Sequence, residues 1–276
     1  MIALRAAILT AILLVGSGPA SVHADPAPDP VAMADALVAD EHTVRDRSAG
    51  EPALAAAAHR QQVAYRDIVK NPGWDAAIAP HIPPELADTY RHNIDAGRAL
   101  WGMTAPRESM PPWTIQPPAP AGELLGHYHD AQAATGVDWN YLAAVNLVES
   151  RFGRINGDSP DGAQGPMQFM PATFAAYGTG DVHAPRDAIF AAAKYLAANG
   201  FAADRDGALH RYNHSAAYVR AVNDYAAVLA ADPAAFAGYY RWDVYYKTSA
   251  GDILLPVGYS SSSPMPAADY VAAHPQ

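Results

Sequence analysis

Residues Trp139–Ser150 carry an apolar helical repeat that runs into Glu149, and Gly153, Gly157, Gly162 and Gly165 follow at once. No other junction restricts the fold as strongly. The helix must end here, and the chain must turn back through a tight glycine-rich loop. Leu142, Val145 and Glu149 are spaced by three and four positions, so they lie along one helix face. Leu142 and Val145 must face a core, which brings Glu149 out at the end of a buried stripe. A carboxyl in an apolar rim resists ionisation, because desolvation disfavours the charged form. That keeps it protonated near neutral pH, as a general acid requires. Met167-Gln168-Phe169 then places an amide between apolar side chains. The whole stretch suits an acid held in a cleft that binds a polymer. From the helix alone, an ordinary glutamate at a helix end is an equal reading.

The 276 residues give room for a sizeable core and one or two domains, and half of them are hydrophobic, which excludes a disordered chain. The formal charge of −10 and the lack of any Lys/Arg cluster give no footprint for nucleic acid. With no cysteine there is no disulfide, thiolate zinc site or Cys nucleophile. The eleven histidines show no H-E-x-x-H or paired helical spacing, so no catalytic metal is expected. At the N-terminus Arg5 precedes the apolar run Ala6–Val15. Gly16, Gly18 and Pro19 break it, and Val22-His23-Ala24 offers a small-x-small cleavage site. This pattern predicts a signal peptide over 1–24 and a mature chain exported to the periplasm or cell-wall space. The run is too short for a spanning helix, and no later segment qualifies as transmembrane.

Beyond it, residues 25–39 are Pro-, Ala- and Asp-rich and read as a flexible lead-in. Residues 40–104 read as a helical region, with helices over Ala53–Val69 and about 84–100 and no evident chemistry. The six prolines within 105–120 predict an extended linker and a domain boundary. A core domain follows over 121–232. Its helices are Glu123–Ala134 closed by Gly136, Trp139–Ser150 capped by Asp138, Asp187–Ala198 closed by Asn199-Gly200, and Ala216–Ala231 capped by Ser215. Asp204-Arg205-Asp206-Gly207 reads as a loop before a helix. From 233 to 259 the period changes to alternation, with Trp242, Val244 and Tyr246 against Ile253–Leu255, which predicts a β-hairpin. Residues 260–276, with the serine run Ser260–Ser263, read as a flexible tail.

Ser159, Gly162, Ala163, Gly165, Met167 and Gln168 fit the pattern S-x-x-G-A-x-G-x-M-Q without a gap, and Tyr212-Asn213-His214-Ser215 with Tyr218-Val219 fits Y-N-x-S-x-x-Y-V. Together with Glu149-Ser150 these segments resemble the catalytic domain of lytic transglycosylases, closest to the soluble and B-type membrane-bound groups. The resemblance covers about residues 120–232. It implies a mainly α, lysozyme-like α+β domain, here with an N-terminal helical region and a C-terminal hairpin. It also implies that the substrate is the β-1,4 bond between MurNAc and GlcNAc in peptidoglycan glycan strands. No cofactor is implied, and a monomer is expected.

Glycoside hydrolysis normally uses two carboxylates, and no second one is obvious: Asp158, Asp161, Asp181 and Asp187 all read as loop or cap residues. The resemblance implies that MurNAc supplies its own nucleophile and leaves a 1,6-anhydro end, with Glu149 as acid and then base. It further implies that Ser150, Ser159, Gln164, Met167, Gln168, Tyr212 and Asn213 line the cleft. In this reading the Tyr212 phenol lies near the acid, and the glycines bring backbone close to sugar rings. The rivals are a muramidase of the same fold that uses water and a non-catalytic wall-binding scaffold. The extra helical region and the linker leave room for partners in wall synthesis or division.

Overall fold

The computed structural model describes residues 29–274. The expected signal segment at 1–24 lies outside the described residues. In chain order the helices are α1 (Pro30–Arg45), α2 (Glu51–Lys70), α3 (Asp75–Ile78), α4 (Pro84–Met103), α5 (Ala121–Thr135) and α6 (Trp139–Ser150). Then come α7 (Pro171–Tyr177), α8 (Pro185–Ala198), α9 (Arg205–Tyr212), α10 (Ala216–Ala231), α11 (Phe236–Arg241) and α12 (Ala267–Ala273). Six short strands form three antiparallel pairs: β1 (Ser109–Met110) with β6 (Met265–Pro266), β2 (Thr114–Ile115) with β3 (Ile155–Asn156), and β4 (Val244–Thr248) with β5 (Gly251–Leu255). The chain is mainly α with small β-hairpins, consistent with a lysozyme-like fold. Among the described residues no helix is long and apolar enough to cross a membrane.

Helix α10 sits at the centre. Tyr218, Val219, Ala221, Val222, Tyr225, Ala226, Val228 and Leu229 are all buried, too many for one stripe. A helix apolar around most of its circumference must be covered on several sides, and α10 packs on α4, α6 and α9. Its N-terminus is fixed by Ser215, whose side chain accepts the Tyr218 amide. Gly136, at φ 76°, closes α5 in the left-handed conformation that favours glycine. Asp138 stands at the head of α6 but makes no capping bond there. It pairs with Arg205 at 3.3 Å, and Gln132 Oε1 takes the Trp139 amide at 2.7 Å instead.

Several expectations, most of them outside the core domain, are overturned. The lead-in at 25–39 is helical from Pro30, because Asp29 accepts the Val31 amide, Pro30 suits a first helical turn, and Ala34 and Leu37 find a core. Asp204 caps α9, so Arg205-Asp206-Gly207 is its first turn rather than a loop. The stretch 105–120 is extended but not free. The Arg107, Ile115 and Gln116 amides donate to Lys247, Tyr259 and Arg154, and Met110 and Ile115 are buried. The prolines of this stretch lie outside the two-residue strands β1 and β2, so no ladder donor is asked of them there. The tail is also ordered: β6 and α12 cover β1, and Tyr270 packs edge-on against Tyr259. Met110, Ile115, Val244, Ile253, Leu255 and Tyr259 form a second small core there.

The N-terminal helices share the main core with α5 to α11. Three buried amides fasten them to the segment after α10. Gln61 Oε1 accepts the Trp242 indole N–H at 3.0 Å, and Asn93 accepts the Tyr239 hydroxyl at 2.9 Å. Gln62 brackets the Asp243 backbone, accepting its N–H at 2.7 Å and donating to its carbonyl at 2.9 Å. A buried backbone group left without a partner costs about 1–3 kcal/mol. Gln62→Leu is therefore expected to lower unfolding stability by at least about 1–3 kcal/mol in urea melts. An unchanged midpoint would mean that the hairpin is not held by this residue.

Candidate active site

Leu142 and Val145 are fully buried on α6, and Glu149 emerges one turn later, partly buried, as the helix-face argument requires. The helix ends on a costly turn. Arg151 (φ 52°), Phe152 (φ 61°) and Gly153 (φ 84°) are successive left-handed residues, two of them with side chains. Such residues cost of order 1–3 kcal/mol each and persist only where the surroundings over-determine them. Here Phe152 is buried against Phe236 and Tyr240, and the Phe152 amide closes on the Asn146 carbonyl at 3.1 Å. Ser150 is fully buried, accepts the Gly153 amide at 2.9 Å and donates to the Pro166 carbonyl at 2.5 Å. Asn146 donates to the same carbonyl at 2.8 Å and accepts the Tyr128 hydroxyl at 2.6 Å. Ser150 thus locks the turn to the following loop and does not face a ligand.

The loop is a small hairpin. Gln164 and Phe169 exchange two backbone bonds of 2.9 Å, and Ser159 Oγ accepts the Asp161 and Ala163 amides. Gly165 cannot be replaced: at φ 72° a Cβ would lie 2.0 Å from the Val182 carbonyl oxygen. Tight backbone approach is made to protein at Gly165, against Val182, and at Gly157, against the Trp113 ring, while a Cβ at Gly162 would meet nothing within 4 Å. Met167 is fully buried in the main core, so packing explains it. The Gln164 amide donates to Asp158 at 3.2 Å, and the Gln168 amide to the Gly165 carbonyl at 2.9 Å.

The phenol on the acid is Tyr218, not Tyr212. Tyr218 donates to Glu149 Oε1 at 2.8 Å. Tyr212 lies parallel to it with ring centres 6.5 Å apart and donates to the Met167 carbonyl at 2.7 Å. Burial raises the Glu149 carboxyl from its ordinary range to about 7, and the Tyr218 bond, which favours the ionised form, only partly opposes this. Both phenols are held well above their usual range by burial and by the nearby carboxylate.

Glu149 opens into a cavity of about 370 Å³. Its walls come from far apart in sequence: Arg66 of α2, Trp101 of α4, Trp113 beside β2, Arg151, and Tyr246 and Lys247 of β4. Glu149 is the one carboxylate among the lining residues. A second groove of about 670 Å³ continues from it and shares Arg107, Trp113, Pro160 and Tyr246. Ser159 lines this groove, as do Asp158 and Glu108. Of the eight residues expected at the site, Glu149 lines the cavity and Ser159 the adjoining groove. Ser150, Gln164, Met167, Gln168, Tyr212 and Asn213 line neither. Asp187 accepts the Asp181 amide and Asp181 the His183 amide, so both are loop ties. Tyr218 is legible as a position in the Tyr-Asn motif, but the motif does not say which of its two tyrosines meets the acid. The walls from α2, α4 and β4 carry no local signal.

A mainly helical, lysozyme-like fold with a desolvated carboxyl at the foot of a two-part cleft defines the class. Residues 127–232 match the family model of the transglycosylase SLT domain. The membrane-bound lytic murein transglycosylase F of Thiobacillus denitrificans is 36% identical over 75 residues, which are 27% of this chain and 16% of that protein. The chain thus spans about a sixth of the length of the curated relative it matches. No solved structure matches it.

Because Glu149 binds its proton more tightly folded than unfolded, stability falls as pH rises from the ordinary glutamate range to about 7. Glu149→Gln keeps the neutral form at every pH. The variant is expected to match wild type near pH ~4 and to exceed it by about 1–3 kcal/mol above pH ~8 in urea unfolding. A difference independent of pH would mean that the carboxyl is not desolvated.

Proposed function

We propose that the chain is a peptidoglycan lytic transglycosylase that cuts the β-1,4 bond between MurNAc and GlcNAc without water. The observation that carries this reading is Glu149, which holds its proton to about 7 and is the one carboxylate lining its cavity. The SLT-domain match over 127–232 and the similarity to a membrane-bound lytic murein transglycosylase support the substrate class.

Protonated Glu149 gives its proton to the glycosidic oxygen as the bond to the MurNAc anomeric carbon breaks. The 2-acetamido oxygen of the same sugar stabilises that carbon. The 6-hydroxyl oxygen then attacks it, and the Glu149 carboxylate takes the hydroxyl proton. The proton count closes on one residue, and the products are a GlcNAc end and a 1,6-anhydroMurNAc end. Tyr218 holds the carboxyl through both halves: its hydroxyl stabilises the anion between the two proton transfers. An inverting hydrolase would instead require a second carboxylate about 6.5–9.5 Å away to activate water. We further propose export to the periplasm or cell-wall space and action as a monomer.

Mass spectrometry of muropeptides from digested sacculi tests the reaction. Wild type is expected to leave ends one water lighter than the reducing sugar, and Glu149→Gln to lower their yield by about 10²–10⁴-fold. Reducing ends instead would make the enzyme a hydrolase. Binding without either product would leave a scaffold. The pH profile tests Tyr218. Activity that needs the protonated acid is lost as pH rises through the Glu149 pKa, so kcat/KM should fall above about 7. Tyr218→Phe removes a donor to the ionised form and is expected to move this limb to higher pH. A limb that stays put would separate Tyr218 from the acid.

A further inference from the structure

The chain carries a formal charge of −10, yet the wall of the Glu149 cavity is cationic. Arg66, Arg107, Arg151 and Lys247 line it against Glu149 alone, and Glu149 is largely neutral at pH values below about 7. Arg66 is neutralised by two bonds to Asp252. The other three have no carboxylate within ion-pair distance among the described residues. Lys247 Nζ donates to the Trp101 and Thr104 carbonyls at 2.9 and 2.8 Å and sits 3.9 Å above the Trp101 ring. Arg151 donates one bond of 3.0 Å to the Leu147 carbonyl and stands 5.9 Å over Trp242. Burial, and then the like charge of Arg66, act against its ionisation. Arg107 is exposed, its backbone amide donates to the Lys247 carbonyl at 3.0 Å, and both side chains line the same cavity.

Arg151 and Lys247 are half-buried, and half-buried cations without counter-ions are costly unless something compensates them. Sugar recognition does not require them, because the N-acetylated sugar rings are uncharged and the lactyl carboxyl is an amide where it carries a stem peptide. The anionic groups on such a strand are the carboxylates of the stem peptide carried by the MurNAc lactyl group. We propose that Arg107, Arg151 and Lys247 form a carboxylate-binding subsite for this stem peptide, which makes the chain selective for peptide-bearing strands with free carboxylates. The inference rests on the reading of the chain as a peptidoglycan enzyme. Two of the three cations, Arg107 and Lys247, lie outside the SLT domain, so the added segments supply this preference and the domain supplies the acid.

The test is calorimetric titration of the full chain carrying Glu149→Gln, which binds without turning over. The probes are uncross-linked glycan strands bearing stem peptides with free carboxylates, the same strands with those carboxylates amidated, and strands stripped of peptide to a free lactyl carboxylate. The free-carboxylate strands are expected to bind about ten-fold or more tightly than the other two, with the gap closing at high salt. Added Arg107→Glu should remove that gap by weakening the free-carboxylate strands more than the amidated ones; its exposed side chain makes its folding safe. Arg151→Lys should retain part of the gap and Arg151→Gln lose it. Equal affinity for all three strands, or an equal loss on all three in Arg107→Glu, overturns the subsite. Stripped strands bound as tightly as peptide-bearing ones assign the cations to the lactyl group and overturn the stem-peptide assignment. Anhydro ends released by wild type from amidated strands at the same rate would leave the reaction standing and sink the subsite alone.

Discussion

The bond from the Tyr218 hydroxyl to Glu149 spans the crossing of α6 and α10, and much of the fold exists to make it. Removing a carboxyl from water raises its pKa, and a phenol donor on the anion lowers it. Desolvation is the larger effect here, so the acid settles at about 7 and not in its ordinary range. That balance needs Tyr218 to be rigid as well as close. It sits in the first turn of α10, buried, with its backbone amide capped by Ser215 and its ring parallel to Tyr212. Tyr212 in turn is pinned to the Met167 carbonyl, so the Tyr-Asn segment and the glycine loop brace each other behind the acid.

The cleft is a property of the whole chain. The SLT domain ends at residue 232, whereas the cavity in front of Glu149 is closed by α2, α4, the 105–120 segment and β4. Buried amides are a demanding way to join these parts, because each unpaired group would cost about 1–3 kcal/mol. They also make the joint specific: Gln61, Gln62 and Asn93 accept only partners at set positions on 239–243. Apolar contacts alone would allow α2 and α4 to slide, and a slide would move Arg66 of α2 and Trp101 of α4 relative to the acid.

What was legible in the sequence follows from this division. Glu149 and helices α2, α4, α5, α6, α8 and α10 could be read because periodicity, caps and glycine stops are local signals. So could the β4–β5 hairpin, through its alternation of Trp242, Val244 and Tyr246. Helix α1 was hidden by composition, although Asp29-Pro30 is itself a helix start. The 105–120 segment and the tail were read as free because proline and serine density says nothing about long-range pairing; β1 finds its partner about 155 residues later. Met167 and Ser150 were assigned to the cleft by motif, but a motif fixes order in the chain and not which way a side chain points. The same limit exchanged Tyr212 for Tyr218.

The residues assigned to the cleft that turn inward still bear on the acid, by holding an unfavourable backbone. The described residues with side chains at positive φ are Arg151, Phe152 and Gln168, all within the segment that follows Glu149. At about 1–3 kcal/mol each, this conformation would relax if its surroundings let go. Ser150 and Asn146 prevent it by sharing the Pro166 carbonyl, and Gly165 lets the loop close onto Val182. The glycine-rich pattern is therefore tied to the chemistry at one remove. It keeps α6 ended at the one residue that leaves the carboxyl under the phenol and open to the cavity.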